Sequence, residues 1–113
     1  MLLSRMRNRV SFWKKETGRK PDGSVSTVWK EKFFAWAEVI SIGGEEGRLA
    51  AADSSTIKYR LTMRYRRDLD PGMMVKLLNE GRFLSVQVIR DPDGQKNIVE
   101  LSCQWRQGQI EPS

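Results

Sequence analysis

The stretch from Thr56 to Arg66 alternates strictly between apolar and polar side chains. Its odd-numbered positions are all apolar, and they are Ile57, Tyr59, Leu61, Met63 and Tyr65. Its even-numbered positions are polar, and four of them are basic, namely Lys58, Arg60, Arg64 and Arg66. Because successive side chains of a strand point to opposite faces, the pattern predicts a strand of roughly 36 Å with one face on a core. A helix would scatter the apolar positions around its whole circumference.

Five further segments have the composition of strands, and turn-forming residues separate them. We predict these strands at residues 10–15, 25–42, 73–78, 82–90 and 98–105. The turns between them are rich in Gly, Pro, Asp and Asn, and Pro21-Asp22-Gly23 is a clear example. Closely spaced strands and turns without an amphipathic helix predict an all-β fold. A small antiparallel β-barrel of about six strands is favoured, because a barrel leaves no open edges.

The sequence also predicts which strand faces are buried. Both faces of the second strand are largely apolar, which predicts a central strand or an interface. For its aromatic residues, which include Phe34 and Trp36, core packing is favoured over a binding role. In the fifth strand, Leu84, Val86 and Val88 are predicted to share one face.

The chain has 113 residues, which corresponds to one domain. Residues 1–9 are predicted to form an N-terminal arm, residues 10–106 a single barrel domain, and residues 107–113 a polar tail. Within the barrel, residues 43–55 are predicted to form a long loop between the second and third strands. Three glycines in five residues interrupt the strand pattern there. Loops of this length in small domains are often functional, and a tolerated surface excursion is the other interpretation.

The sequence lacks the residue combinations that catalysis and metal binding usually need. It contains no histidine and a single cysteine, Cys103, which excludes the usual zinc sites and an intrachain disulfide. No glycine-rich phosphate loop is present, and most aspartates lie in predicted turns, where they bond locally. We therefore expect no enzymatic activity, no cofactor and no small-molecule substrate. No apolar run is long enough to span a bilayer, so no membrane partner is expected either.

The net charge of +6 favours an anionic partner, either nucleic acid or an acidic protein surface. A solvated, arginine-rich surface without a partner is the other interpretation. Single-strand nucleic-acid binders of the oligonucleotide-binding barrel type place exposed aromatic residues beside cations. Here Tyr59 and Tyr65 are predicted on the opposite face from the arginines, so this function is kept as an alternative.

A particular order of segments runs along the chain. It consists of Arg9-Val10-Ser11-Phe12, the Pro21-Asp22-Gly23 turn, Trp36-Ala37-Glu38-Val39, a Gly- and Glu-rich loop, the alternating strand, Gly81-Arg82-Phe83-Leu84-Ser85-Val86 and Leu101-Ser102-Cys103. Over roughly residues 5–105, this order resembles the phage head–tail joining family, the head–tail adaptor or head-closure proteins of tailed bacteriophages and prophages. None of the segments is a catalytic motif, so the likeness rests on their pattern and order.

The resemblance implies a specific place in the virion. Members are small β-barrel proteins, made in the bacterial cytoplasm, that assemble into a homo-oligomeric ring at the head–tail interface. The ring meets the portal or its adaptor ring and the tail proteins, and its central channel passes the double-stranded genome. In some members an extended loop narrows that channel, and the candidate loop residues here are Gly43, Gly44, Glu45, Glu46, Gly47 and Arg48. A neighbouring tail-terminator or tail-completion role is the alternative within the particle.

A ring also needs surfaces that contact neighbouring subunits. The candidate subunit interface lies on the apolar second strand, at Phe34, Trp36 and Ile40. The basic face of Lys58, Arg60, Arg64 and Arg66 would contact DNA phosphates without sequence preference, or the acidic surface of a neighbouring subunit. The sequence leaves both partners of the basic face open.

Overall fold

The computed structural model describes residues 5–42 and 56–112. They form six strands, which are β1 (Asn8–Arg19), β2 (Val25–Ile42), β3 (Thr56–Arg64), β4 (Met74–Leu77), β5 (Arg82–Arg90) and β6 (Ile98–Arg106). Every strand pair is antiparallel, so the all-β prediction is confirmed. No helix in the described ranges is long and apolar enough to cross a membrane.

The strands close into a ring in the order β1-β2-β3-β6-β5-β4, which confirms the predicted small barrel. β4, β5 and β6 pair one after another along the chain, and β6 then pairs with β3. The ring closes where residues 10–13 of β1 pair with β4, from Val10 opposite Leu77 to Trp13 opposite Met74. Because β1 and β4 pair, neither strand presents an open edge over this part of the wall.

The core fills the inside of the ring, and the inward face of β3 supplies its centre. Tyr59, Leu61 and Met63 are buried. Their partners across the β3–β6 pair are buried too, and they are Cys103, Leu101 and Val99. Ile57 and Tyr65 are partly buried and pack at the margin of this cluster. The predicted apolar face of β3 is therefore confirmed as core.

Cys103 is a free, buried thiol in the middle of β6. Burial raises the pKa of Cys103 to about 12, because an apolar environment disfavours the charged thiolate. The thiol is therefore neutral near pH 7, and Cys103 serves as a small core residue.

The hairpin of β1 and β2 extends beyond the barrel wall. β1 continues to Arg19, so several residues that the sequence predicts as turn are strand. The chain reverses at the predicted Pro21-Asp22-Gly23 turn, where the glycine has a φ of +90°. Residues 14–19 pair with residues 25–30 of β2 and with no other described strand. We call this two-stranded segment the hairpin arm.

Contacts between facing side chains hold the hairpin arm together. Glu16 of β1 forms ion pairs with Lys30 and Lys32 of β2. Lys15 places its ammonium 5.5 Å from the centre of the Trp29 ring. Such cross-strand pairs stabilise the pairing of two strands even where the local residues favour a turn. This explains why β1 continues to Arg19, beyond the end at residue 15 that the sequence predicts.

A β-bulge changes which side chains of β5 face the core. Between Val86 and Val88, β5 advances by two residues while β6 advances by one, so Gln87 is an extra residue. Val88 consequently lies outside the core and is 49% exposed, while Ile89 packs against the core. The prediction that Val88 shares a face with Leu84 and Val86 is wrong, because an alternating pattern does not reveal a bulge.

Leu61→Ala should destabilise the fold, because Leu61 is fully buried at the centre of the core. We expect the free energy of unfolding to fall by about 2–5 kcal/mol. Urea denaturation followed by tryptophan fluorescence measures the change. Val88→Ala is the matched control, since it removes methyl groups from a half-exposed site and should cost less than about 0.5 kcal/mol. Equal losses in the two variants would contradict the assignment of the core.

Candidate interaction surface

β2 and β3 separate near the end of β3, and a groove opens between them. The two strands pair from Ile42 opposite Lys58 to Ala37 opposite Met63. β3 ends at Arg64, two residues before its predicted end, and β2 continues toward the hairpin arm without β3 beside it. The groove has a volume of about 680 Å³. Its lining consists of apolar residues and two cations, namely Met6, Phe34, Ala35, Trp36, Met63, Tyr65, Arg64 and Arg66.

Phe34 and Trp36 line the groove from the outer face of β2, where they are 46% and 53% exposed. Ile40, the third residue of the predicted interface, is exposed on the same strand but does not line the groove. Phe33 faces inward instead and stacks on Phe12, with the ring centres 4.8 Å apart. Core packing is therefore the wrong interpretation for the outer aromatic residues of β2, because the ring encloses only one face of the strand.

Arg9 covers the two exposed aromatic rings from the neighbouring strand β1. It lies opposite Trp36 in the β1–β2 register. Its guanidinium carbon is 5.4 Å from the centre of the Phe34 ring and 5.1 Å from the centre of the Trp36 ring, within the range of cation–π attraction. No carboxylate of the described residues forms an ion pair with Arg9. The sequence alone did not predict this contact, because Arg9 falls in the predicted N-terminal arm and the register of β1 against β2 cannot be read from the residue pattern.

Arg66 is held at the groove by Asp68 and Phe33. Its Nε and Nη2 donate hydrogen bonds to the two carboxylate oxygens of Asp68, at 2.9 and 2.8 Å. Its guanidinium carbon lies 3.7 Å from the centre of the Phe33 ring. Hydrogen bonding to Asp68 raises the pKa of Arg66, and the same bonds lower the pKa of Asp68. Asp68 therefore neutralises Arg66, whereas Arg64 has no carboxylate partner among the described residues.

The predicted basic face of β3 is divided between two surroundings. Lys58, Arg60 and Arg64 are exposed on β3, and Arg66 follows the strand. Arg64 and Arg66 line the groove, whereas Lys58 and Arg60 lie nearer the beginning of β3, beside the paired part of β2. The candidate loop residues 43–48 lie outside the described residues. Within residues 5–42 and 56–112, no group of Cys, Asp and Glu side chains is arranged to hold a metal ion.

Comparison with known proteins adds family and fold information to this geometry. The model of the phage head completion protein family matches residues 1–106. The solution structure of protein SF1141 from Shigella flexneri 2a is similar, with 23% identity, a TM-score of 0.73, and coverage of 97% of this chain and 100% of that chain. A chain from the virion of a native gene transfer agent particle is also similar, with 14% identity, a TM-score of 0.66, and coverage of 90% and 96%. These two likenesses show a shared fold, and no curated protein sequence matches.

Arg66→Gln should raise the pKa of Asp68 toward its ordinary value near 3.8, because the guanidinium stabilises the charged carboxylate. The Arg66–Asp68 pair stabilises the fold above the ordinary pKa, and this contribution is lost as the pH falls through the lowered pKa of Asp68. Because both side chains are partly exposed, it amounts to less than about 1 kcal/mol. An NMR titration of the Asp68 carboxyl group measures the pKa.

Arg67→Gln is the matched control for this titration, because Arg67 is an exposed neighbour that is not bonded to Asp68. It should leave the pKa of Asp68 unchanged. The same pKa in wild type and the Arg66 variant would show that the hydrogen bonds do not form in solution.

Proposed function

Because the chain belongs to the phage head completion protein family, we propose that it is a connector between the phage head and the tail. Proteins of this family are structural components of the phage particle and not enzymes. In the proposed role, copies of the chain form a ring at the head–tail interface of the virion. The ring meets the portal or its adaptor ring on one side and the tail proteins on the other, and its channel passes double-stranded DNA. The family match over residues 1–106 carries this proposal.

The exposed apolar residues of β2 support a role in assembly. Phe34, Trp36 and Ile40 leave apolar surface in water on one strand, and such surfaces commonly mark sites of protein contact. Aromatic residues and arginine are also enriched at interfaces, and Arg9 accompanies the two rings here. In the proposed ring, this face of β2 is a contact between subunits or with the adjoining ring.

The exposed cations of β3 support contact with an anionic surface. Lys58, Arg60 and Arg64 stand on β3 of a chain with a net charge of +6. Positive charges along a DNA channel bind phosphates without reading sequence, so the passing genome is one proposed partner. The acidic surface of a neighbouring subunit is the other, and both fit the connector role.

Single-stranded nucleic-acid binding is the second candidate function, because exposed aromatic residues do lie beside a cation. Phe34 and Trp36 of β2 line the groove together with Arg64 of β3. The residue pattern of β3 did not predict this arrangement, because the two rings come from another strand. Such rings can stack on bases. The connector role is favoured, because Arg9 already lies over both rings and because the chain belongs to a family of phage structural proteins.

The double variant Phe34→Asp and Trp36→Asp should block the attachment of tails to filled heads, because it places two charges in the proposed contact. Loss of central aromatic anchors typically costs more than about 2 kcal/mol of binding energy each. Negative-stain images of particles from cells complemented with the variant would show tailless heads. Val88→Asp is the matched control, since Val88 is exposed to a similar extent on another strand. Normal tail attachment in the double variant would contradict the proposed interface.

Shortening the segment of residues 43–55 should let DNA leave filled capsids while the barrel still folds. This segment connects β2 to β3, and the family resemblance assigns such a loop to the channel. The DNase-resistant genome content of purified particles measures retention, and circular dichroism of the isolated variant checks the fold. Full genome retention with the shortened segment would count against a gating role for it.

A further inference from the structure

Among the described residues, no strand covers one edge of β2 over much of its length. From Val25 to Trp36, β2 pairs with β1 on one side and with no described strand on the other. An open edge presents backbone N–H and C=O groups that can pair with an added strand. Trp36 and Arg64 would form the next pair after Ala37 and Met63, so the groove lies at the inner end of this edge. We call the open edge together with the groove the docking edge.

The side chains of the docking edge fit an extended segment that carries both apolar and acidic residues. Phe34 and Trp36 offer exposed aromatic surface. Arg9 and Arg64 are cations without carboxylate partners among the described residues, whereas Arg66 is neutralised by Asp68. Because paired residues of adjacent strands share a face, a bound strand that alternates acidic and apolar residues would place its acidic side chains on the outer face, beside Trp36 and Arg64. Its apolar side chains would point to the opposite face, beside Ala35 and Met63.

We propose that the docking edge binds an extended acidic segment of another phage structural protein, which adds to β2 as an antiparallel or parallel strand. This proposal rests on the connector role. It identifies the kind of segment that binds along β2, beside its exposed rings. Main-chain hydrogen bonds supply affinity in this mode of recognition, and side-chain pockets supply specificity. The last pair between β2 and β3 joins Ala37 to Met63, and β3 ends at the next residue, Arg64. There the guanidinium of Arg64 selects for a carboxylate at the inner end of the bound segment.

Two other occupants fit the docking edge less well. A nucleic acid would pair with the cations but leave the backbone groups of the open edge unmatched, because it carries no backbone N–H and C=O groups in strand geometry. A second copy of the chain carries the same net charge of +6. The tail of such a copy contains Ile110 next to Glu111, but Gln109 ties that tail to its own barrel through a 2.8 Å hydrogen bond from Nε2 to the carbonyl oxygen of Phe83.

The test is a titration of the ¹⁵N-labelled full chain with a synthetic peptide of alternating Glu and Val residues. We expect chemical-shift changes confined to residues 25–37 and 63–66, with new protection of β2 amides from hydrogen exchange. A peptide of alternating Lys and Val should not bind, because the groove is cationic. Arg64→Glu should weaken binding of the acidic peptide about tenfold. The matched control Arg60→Glu, on the same strand outside the groove, should change it by less than about twofold.

Several results would overturn the proposal. They are no shift changes with the acidic peptide, equal binding of the lysine peptide, tighter binding of a single-stranded oligonucleotide at the same residues, and dimerisation through β2 in sedimentation experiments. Peptide binding that appears only after deletion of residues 1–4 would also overturn it, because the chain's own terminus would then be the occupant. The connector role is tested separately by imaging particles assembled without this chain, which should lack tails. A failed peptide titration would therefore overturn the docking edge and leave the connector role standing.

Discussion

The pairing of β1 with β4 is the interaction on which the rest of the structure depends. Residues 10–13 of β1 lie beside β4 and close the ring, which places Val10 and Phe12 in the core. Without this pair, both strands would present open edges and the interior would be open to water. Because closure uses only one end of β1, the remaining residues of that strand leave the wall. The hairpin arm is thus a direct consequence of how the ring closes.

Closure also decides which apolar residues of β2 reach the surface. A closed ring encloses one face of each strand, and on β2 that face carries Phe33 and Ala37. Phe34 and Trp36 then stand outside, although their composition suits a core. The register of the β1–β2 pair shifts between Phe12 and Trp13. Such a shift increases the local twist at the point where the hairpin arm leaves the wall. Within the described residues, the exposure of the two rings is therefore a product of topology.

The groove follows from a difference in strand length. β2 has 18 residues and β3 has 9, so β2 must run without that neighbour over part of its length. Where the two strands separate, Phe34 and Trp36 of β2 line the groove together with Arg64, the last cation of β3. Arg66 lines the same groove, but Asp68 neutralises its charge. Among the residues that the structure describes, unpaired backbone, exposed rings and an arginine without a carboxylate partner are thus adjacent. An assembly protein can use this combination to hold an extended partner without any catalytic group.

The alternating pattern of residues 56–66 by itself determined that β3 is a strand, that Leu61 and Met63 are core, and that Arg64 is exposed. Turn-forming residues determined most strand boundaries. The exposed cations and the apolar residues of the candidate site were each identified from the residue pattern of one strand. Only the tertiary structure decided that Val88 points outward and that Arg9 covers Trp36. The physical reason is that alternation shows which side chains share a face. Whether that face meets core, neighbour or solvent depends on bulges, register and ring closure between residues far apart in the chain.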